Sequence, residues 1–201
     1  MRNAGSGNSS FFIPHSKVGA ATFAAVPCLV AAVRKIALTV IRPATLADIP
    51  VIQRLAEAAW WPTYRDIISA EQIQYMLELM YSARAIEAQM VVQGHKFLLA
   101  RHGGRYAGFA AYGLRDARSS VFRLHKLYVR PDCQGAGLGH KLIRAVENDA
   151  RRAGARRVEL NVNRANPALN FYTRHGYRVQ QTVDIPLGPF WLNDYVMGHE
   201  L

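Results

Sequence analysis

The hydrophobic pattern divides the chain into an unpatterned start and a patterned remainder. Residues 1–17 are rich in Gly, Ser and Asn, show no apolar period and read as disordered. Residues 18–33 form an alanine-rich apolar stretch broken by Pro27, and these 16 positions fall short of the roughly 18 that a spanning helix needs. Only Arg2 and Lys17 offer charge for a signal-peptide n-region, and polar residues scatter them. Residues 1–38 are therefore set apart as an N-terminal extension: a disordered arm, an overlong start or a targeting segment. Residues 39–201 are expected to form the domain.

From Thr39 onward the pattern becomes regular. Thr39-Val40-Ile41-Arg42 is a short β-prone run ended by Pro43. Thr45 with Asp48 offers a cap, after which Ile49, Ile52, Leu55, Ala56 and Ala59 recur at helical spacing. Ser69 with Gln72 opens a second helix through Ile73, Met76, Leu77 and Met80, and a third fits residues 82–92. Strands follow at 96–100 and 106–114, joined by Gly103-Gly104, and then at 122–129, which suggests a meander. An amphipathic helix over 138–153 carries the stripe Leu142, Ile143, Val146 and Ala150, stops at Gly154 and leads to a strand at 157–162. The strand–helix–strand order over 122–162 is a βαβ crossover. Asn166 caps a short helix with Pro167 at its first position, Gly176 ends it, and strands near 177–184 and 194–197 close the chain.

Composition narrows the reading without naming a function. The 201 residues suit one domain, and a 50% apolar content excludes disorder throughout. Cys28 and Cys133 cannot frame a disulfide scaffold and lack zinc-ligand spacing, so no metal is expected and ordinary thiols of a reducing cytoplasm are. Of the net charge of +11, the first 38 residues hold +4, because every acidic residue lies at or beyond Asp48. Such a balance permits nucleic acid, a membrane surface or an anionic small ligand and chooses none of them. No nucleic-acid-binding motif accompanies the charge, and neither nucleic acid nor membrane is expected as a partner.

The chemistry lies between strand and helix, in Pro131-Asp132-Cys133-Gln134-Gly135-Ala136-Gly137-Leu138-Gly139-His140. Alternating glycines let the backbone approach a ligand with several N–H groups aimed at one anion, and the helix N-terminus adds partial positive charge. A dinucleotide fingerprint would need glycine where His140 stands, and a P-loop would need G-K-[ST] where Gly139-His140-Lys141 stands. A phosphate-bearing ligand or a plain glycine-rich turn remains.

Gln134-x-x-Gly137-x-Gly139 resembles the Q/R-x-x-G-x-G/A motif of the GNAT superfamily of acyl-CoA-dependent N-acyltransferases. Leu127-Tyr128-Val129-Arg130-Pro131 is similar to that family's cofactor strand. The segments Val162-Asn163-Arg164-Ala165-Asn166 and Ala168-Leu169-Asn170-Phe171-Tyr172-x-x-x-Gly176-Tyr177 resemble its downstream V-N-x-x-N and A-x-x-F-Y-x-x-x-G-F segments. The resemblance follows the element order of residues 39–201 and is specific over 124–177. It implies an α+β (mixed α/β) fold with a mostly antiparallel twisted sheet, a central βαβ crossover and a cofactor cleft splayed between the strand after Lys126 and the strand near Asn161. It implies acetyl-CoA as cofactor, with the backbone of Leu127, Tyr128 and Val129 along the pantetheine arm. The amides of Gln134, Gly135, Ala136, Gly137, Leu138, Gly139 and His140 would lie on the pyrophosphate, and Asn163, Asn166 and Tyr172 beside the cofactor. The amide of Leu127 is the implied oxyanion donor and Tyr172 the implied acid for the departing thiolate. An aromatic packed beside Phe171 is the plainer reading of Tyr172.

The base is left open. Some members place Glu where Arg123 or Asn161 stands. His125 is similar in position to one of two strand histidines of arylalkylamine N-acetyltransferases, and strict alternation puts it on the face of Leu127 and Val129. Glu159, on the face of Asn161, is the second candidate. For the acceptor amine, Trp60, Trp61, Tyr64 and Trp191 are candidate cation–π residues, with Asp66, Glu71 and Asp194 as carboxylates. The aromatics serve equally as core or as a dimer surface, so a homodimer is also expected. Trp60 with Tyr64, and the closing Asn193-Asp194-Tyr195-Val196-Met197, are similar to a bacterial subgroup loosely like polyamine acetyltransferases. Two functions stand: an acetyl-CoA-dependent N-acetyltransferase acting on a small amine or protein amino group, and a catalytically weak acyl-CoA-binding regulator.

Overall fold

The computed structural model describes residues 38–115 and 120–201. The expected N-terminal extension lies, but for Leu38, outside them, as does Cys28. Seven strands form one sheet in the order β1-β2-β3-β4-β5-β7-β6. β1 (Thr39–Pro43), β2 (Lys96–His102), β3 (Arg105–Leu114) and β4 (Val121–Val129) make an antiparallel meander. β4 then pairs in parallel with β5 (Arg157–Asn163), and β5 pairs antiparallel with β7 (Phe190–Glu200), which carries β6 (Arg178–Leu187) on its outer edge. The closing hairpin is longer than its apolar runs predict, because its mostly exposed β6 alternates too weakly to be read as a ten-residue strand.

One face of the sheet carries α1 (Ile49–Tyr64), α2 (Ala70–Tyr81) and α3 (Ala83–Val91), and the other carries α4 (Leu138–Arg152) and α5 (Ala168–Arg174). The predicted spacing of α1 is met by Ile52, Leu55, Ala56 and Ala59, all buried. Thr45 and Asp48 cap a short 3-10 turn leading into α1, with the Thr45 N–H donating to the Asp48 carboxylate at 2.8 Å. Ser69 caps α2 by accepting the Gln72 N–H at 3.2 Å. The α4 stripe, Leu138, Leu142, Ile143, Val146 and Ala150, is at most 1% exposed and packs on Phe122, Leu124, Val158 and Leu160 of the crossover strands. Each large apolar side chain buried this way contributes roughly 1.5–3 kcal/mol, which fixes α4 on the sheet and its N-terminus over the end of β4.

A bulge in β4 breaks the expected alternation. Tyr112 pairs with Leu124 and Ala111 with Lys126, so His125 is the extra residue on its strand. Before the bulge Phe122 and Leu124 face α4; after it Leu127 and Val129 do, while Tyr128 turns to the core under α1. His125 therefore does not continue the row of Leu127 and Val129. Its ring stacks on His95, in the connection between α3 and β2, with centroids 3.9 Å apart.

Candidate active site

The parallel pairing of β4 and β5 runs only from Val121–Arg157 to Leu124–Leu160, after which the strands separate. The split thus opens at Leu124, slightly earlier than the sequence suggests. Its β4 wall is set by hydrogen-bond alternation. The Arg130 N–H donates to the Ala107 carbonyl at 2.9 Å, which makes that pair a bonded one. Counting back along the register, Val129 opposite Gly108 and Leu127 opposite Ala110 fall in the non-bonded class. The N–H and C=O groups of Leu127 and Val129 consequently point away from β3 and into the split. The Gln134 side chain reaches the freed Val129 carbonyl at 3.3 Å. A cleft of about 940 Å³ follows this split from the α4 N-terminus to the closing hairpin.

At one end stand the glycines. Gly135 and Gly137 have φ of +79° and +76°, a conformation that costs other residues about 1–2 kcal/mol. No side chain caps α4, whose first intrahelical bond is from the Lys141 N–H to the Gly137 carbonyl. The amides of the first turn are left to a ligand. Gly139 has a different reason to be glycine: a Cβ there would meet the Phe171 ring at 3.2 Å. It lets α5 close on α4. Gln134, Gly135, Gly137, Leu138, Gly139 and His140 all line the cleft, and Ala136 does not. His140 Nδ1 lies 2.9 Å from His175 Nε2, and His175 Nδ1 lies 2.8 Å from the Phe171 carbonyl. A neutral His175 must then donate to Phe171 and accept from His140. An uncapped helix end beside two left-handed glycines, opening on unpaired strand groups, fits a pyrophosphate-bearing cofactor with an extended arm.

Midway, Tyr172 of α5 lines the cleft and is buried edge-on between Phe171 and Tyr177. Burial pushes its phenol well above the usual range, with the nearby Tyr64 adding to this, so the hydroxyl keeps its proton. Asn163 and Asn166 also line the cleft. The Asn166 side-chain oxygen Oδ1 accepts the Ala168 N–H at 2.9 Å, as the sequence predicts of a cap, although α5 begins one residue past Pro167. Its amide donates to the Tyr64 hydroxyl at 3.3 Å.

Among the acceptor candidates, Trp60, Tyr64 and Asp194 line the cleft, and Trp61 and Trp191 do not. Trp61 is 38% and Trp191 56% exposed. They turn outward because Trp60, one helical position away from Trp61, takes the core place against Tyr64 and Tyr81, and Leu192 takes the inward place on β7. Burial pushes the Asp194 carboxyl up, opposed by the Asn161 side-chain amide. Asp66 and Glu71 are outside the cleft lining. Glu159 is no longer free for proton transfer: it is 2% exposed and held by Arg115 at 2.8 Å and Arg157 at 2.6 Å. His125 lines the cleft, and desolvation together with His95, Lys126 and Arg123 pushes its imidazole down to about 3.

Lys126 also lines the cleft, and the sequence pattern does not place it there. It is 7% exposed, with its Nζ 4.9 Å from the Tyr81 ring centroid, and burial pushes its pKa down to about 8. Read by strict alternation, it falls on the α4 face; the bulge turns it to the other. Sequence carries no clear sign of a bulge whose extra residue is not glycine.

Known proteins agree with this geometry. The family model described as an acetyltransferase (GNAT) domain matches residues 64–184. An uncharacterized N-acetyltransferase of Mycobacterium tuberculosis is 33% identical over 135 residues, 67% of this chain and 85% of the relative. An L-methionine sulfoximine/L-methionine sulfone acetyltransferase of Salmonella typhimurium is 35% identical over 97 residues, 46% of this chain and 55% of that protein. Among solved structures, the PaiA N-acetyltransferase of Thermoplasma acidophilum, in complex with coenzyme A, superposes with a TM-score of 0.71 at 23% identity, over 82% of this chain and 99% of the other. A GCN5-related N-acetyltransferase of Rhodopseudomonas palustris does so at 0.71 and 25%, over 83% and 98%. The fold is theirs, and acetyl-CoA is the cofactor of the family. The split sheet, the uncapped glycine turn and the matched sequence together make this chain a member of the GNAT acetyltransferase family.

Proposed function

We propose that the protein transfers the acetyl group of acetyl-CoA to a primary amine by direct attack, the acceptor being a small amine or a protein amino group. One observation carries the reading: the peptide groups of Leu127 and Val129 face a split that ends on an uncapped, glycine-flanked helix N-terminus. Bound acetyl-CoA supplies an activated thioester. The amides of Gly135 and residues 137–140 hold its phosphates, and the Leu127 and Val129 backbone takes its arm as an added strand. Those contacts require Gln134 to release the Val129 carbonyl.

One backbone group and three side chains supply the remaining roles. The Leu127 N–H donates to the oxygen that gains charge during attack. Tyr172, held protonated by burial, gives its proton to the departing sulfur. Asp194 draws in the ammonium form of the acceptor. His125, kept neutral by desolvation and by the neighbouring His95, Lys126 and Arg123, relays the released proton toward water rather than storing it. A second reading, an acyl-CoA-binding regulator of little activity, draws support from Glu159 being locked between two arginines. The thiol pattern supports a cytoplasmic protein, and no helix among the described residues is long and apolar enough to cross a membrane. The exposed Trp61 and Trp191 are the residues a homodimer would cover.

Thiol release from acetyl-CoA, followed across polyamines, arylalkylamines, aminoglycosides, amino acids and peptide N-termini, decides between the two. The transferase reading expects amine-dependent release with at least one class. Tight CoA binding without turnover on any class would favour the regulator.

A further inference from the structure

A second cavity, of about 440 Å³, lies beside the acceptor end of the cleft, and Arg123, Asn161 and Ile185 line both. It holds three guanidinium groups, Arg115, Arg123 and Arg157, against the carboxylate of Glu159. Both oxygens of that carboxylate are taken. Arg115 Nη1 lies 2.8 Å from Oε2 and Arg157 Nη2 lies 2.6 Å from Oε1. Glu200, an exposed residue, comes only within 3.8 Å of Arg157. Arg123 stands opposite Glu159 in the parallel register, yet forms no ion pair among the described residues, and its Nε is buried without a hydrogen-bond partner.

A half-buried guanidinium with a free Nε edge is a fork awaiting two oxygens. Leaving it unpaired is unfavourable: desolvation and the neighbouring Arg115 act against its charge, and the attraction of Glu159, already shared with two arginines, offsets them only in part. Asn161, one step along the same face of β5, also keeps a buried side-chain oxygen without a partner. Further along, Asn163 pairs with Asp194 of β7. The acceptor end is thus bipolar, with a carboxylate at one side and unbalanced arginines at the other.

We propose that the acceptor amine carries an anionic group, a carboxylate in the simplest case, and that Arg123, backed by Arg115 and Arg157, binds it. The inference rests on the transferase reading and names the substrate class of that site. From Glu159 to Asn163 is four strand residues, about 13 Å, less the reach of the Arg123 side chain. The anionic group therefore lies several bonds from the reacting nitrogen rather than on the adjacent carbon. Polyamines, cationic throughout, are poor ligands for such a site.

The test compares ε-aminocaproate with n-hexylamine, matched to it in length, and with the longer polyamine spermidine. The wild-type protein is expected to favour ε-aminocaproate over n-hexylamine in kcat/KM by about tenfold or more, the scale of a charged hydrogen-bonded contact. Arg123→Gln is expected to abolish the preference mainly by raising KM for ε-aminocaproate, and Arg123→Lys to restore part of it. Binding of the amine-free probe caproate, followed by calorimetry, gives a readout independent of turnover and is expected to weaken about tenfold in Arg123→Gln. Caproate binding that depends on Arg123, with no turnover of any amine, would support the anion site and sink the transferase reading. Turnover of spermidine or n-hexylamine at least as efficient as that of ε-aminocaproate would overturn the inference and leave the transferase reading intact. That wild-type comparison decides even if the variants fail to fold.

Discussion

The side-chain amide of Asn166 donates to the hydroxyl of Tyr64 across 3.3 Å, joining the start of α5 to the end of α1. The same side chain caps α5 through the Ala168 N–H. One residue thereby sets the position of the helix that carries Tyr172 relative to the wall of the acceptor end. Asn166→Ala is expected to cost about 1 kcal/mol as a lost cap. It is also expected to lower kcat about tenfold by loosening Tyr172, with KM for acetyl-CoA changed less than about threefold. Thermal denaturation and steady-state kinetics check both; a stability loss with unchanged kcat would detach the two functions.

Gly137 marks the other end of the cleft. Gly137→Ala meets no neighbour within 4 Å, so its effect comes from the left-handed φ of +76°. Strain of about 1–2 kcal/mol will shift the first turn of α4 off its anion-binding geometry. CoA affinity should fall about tenfold, as measured by calorimetry. Gly139→Ala acts differently, by pressing on Phe171 and displacing α5. It should harm kcat more than CoA binding.

Lys126 gives a pH-dependent prediction. Burial lowers its pKa from 10.5 in the unfolded chain to about 8, so between those values the unfolded chain binds more protons. Stability from this group therefore rises as pH increases from about 8 to 10.5 and is lowest below about 8. Lys126→Met removes the buried charge and should stabilise the protein by about 1–3 kcal/mol at neutral pH, with the gain shrinking toward pH 10. Urea denaturation at the two pH values measures this. A variant destabilised equally at both would show that the contact with the Tyr81 ring outweighs the burial cost.

Much of this was legible in the residues. The apolar periods of α1, α2 and α4, and the caps at Ser69 and Asn166, are local signals, and each marks an element within a residue or so of where it lies. The glycine turn was legible because a left-handed backbone and an unblocked helix end both demand glycine. Long-range relations were not. The bulge at His125 depends on how β3 pairs with β4, and strict alternation accordingly misplaces His125 and hides Lys126. The outward turn of Trp61 and Trp191, and the capture of Glu159 by Arg115 and Arg157, are decided by neighbours distant in sequence.

Proton transfer from Tyr172 is the central step of the proposed acetyl transfer, and Tyr172→Phe measures it most directly. Phenylalanine keeps the packing against Phe171 and Tyr177 and removes only the hydroxyl. With any acceptor that the wild type acetylates, kcat is expected to fall by more than tenfold while the dissociation constant for CoA stays within about threefold. A variant that keeps wild-type kcat across the pH range would contradict the account.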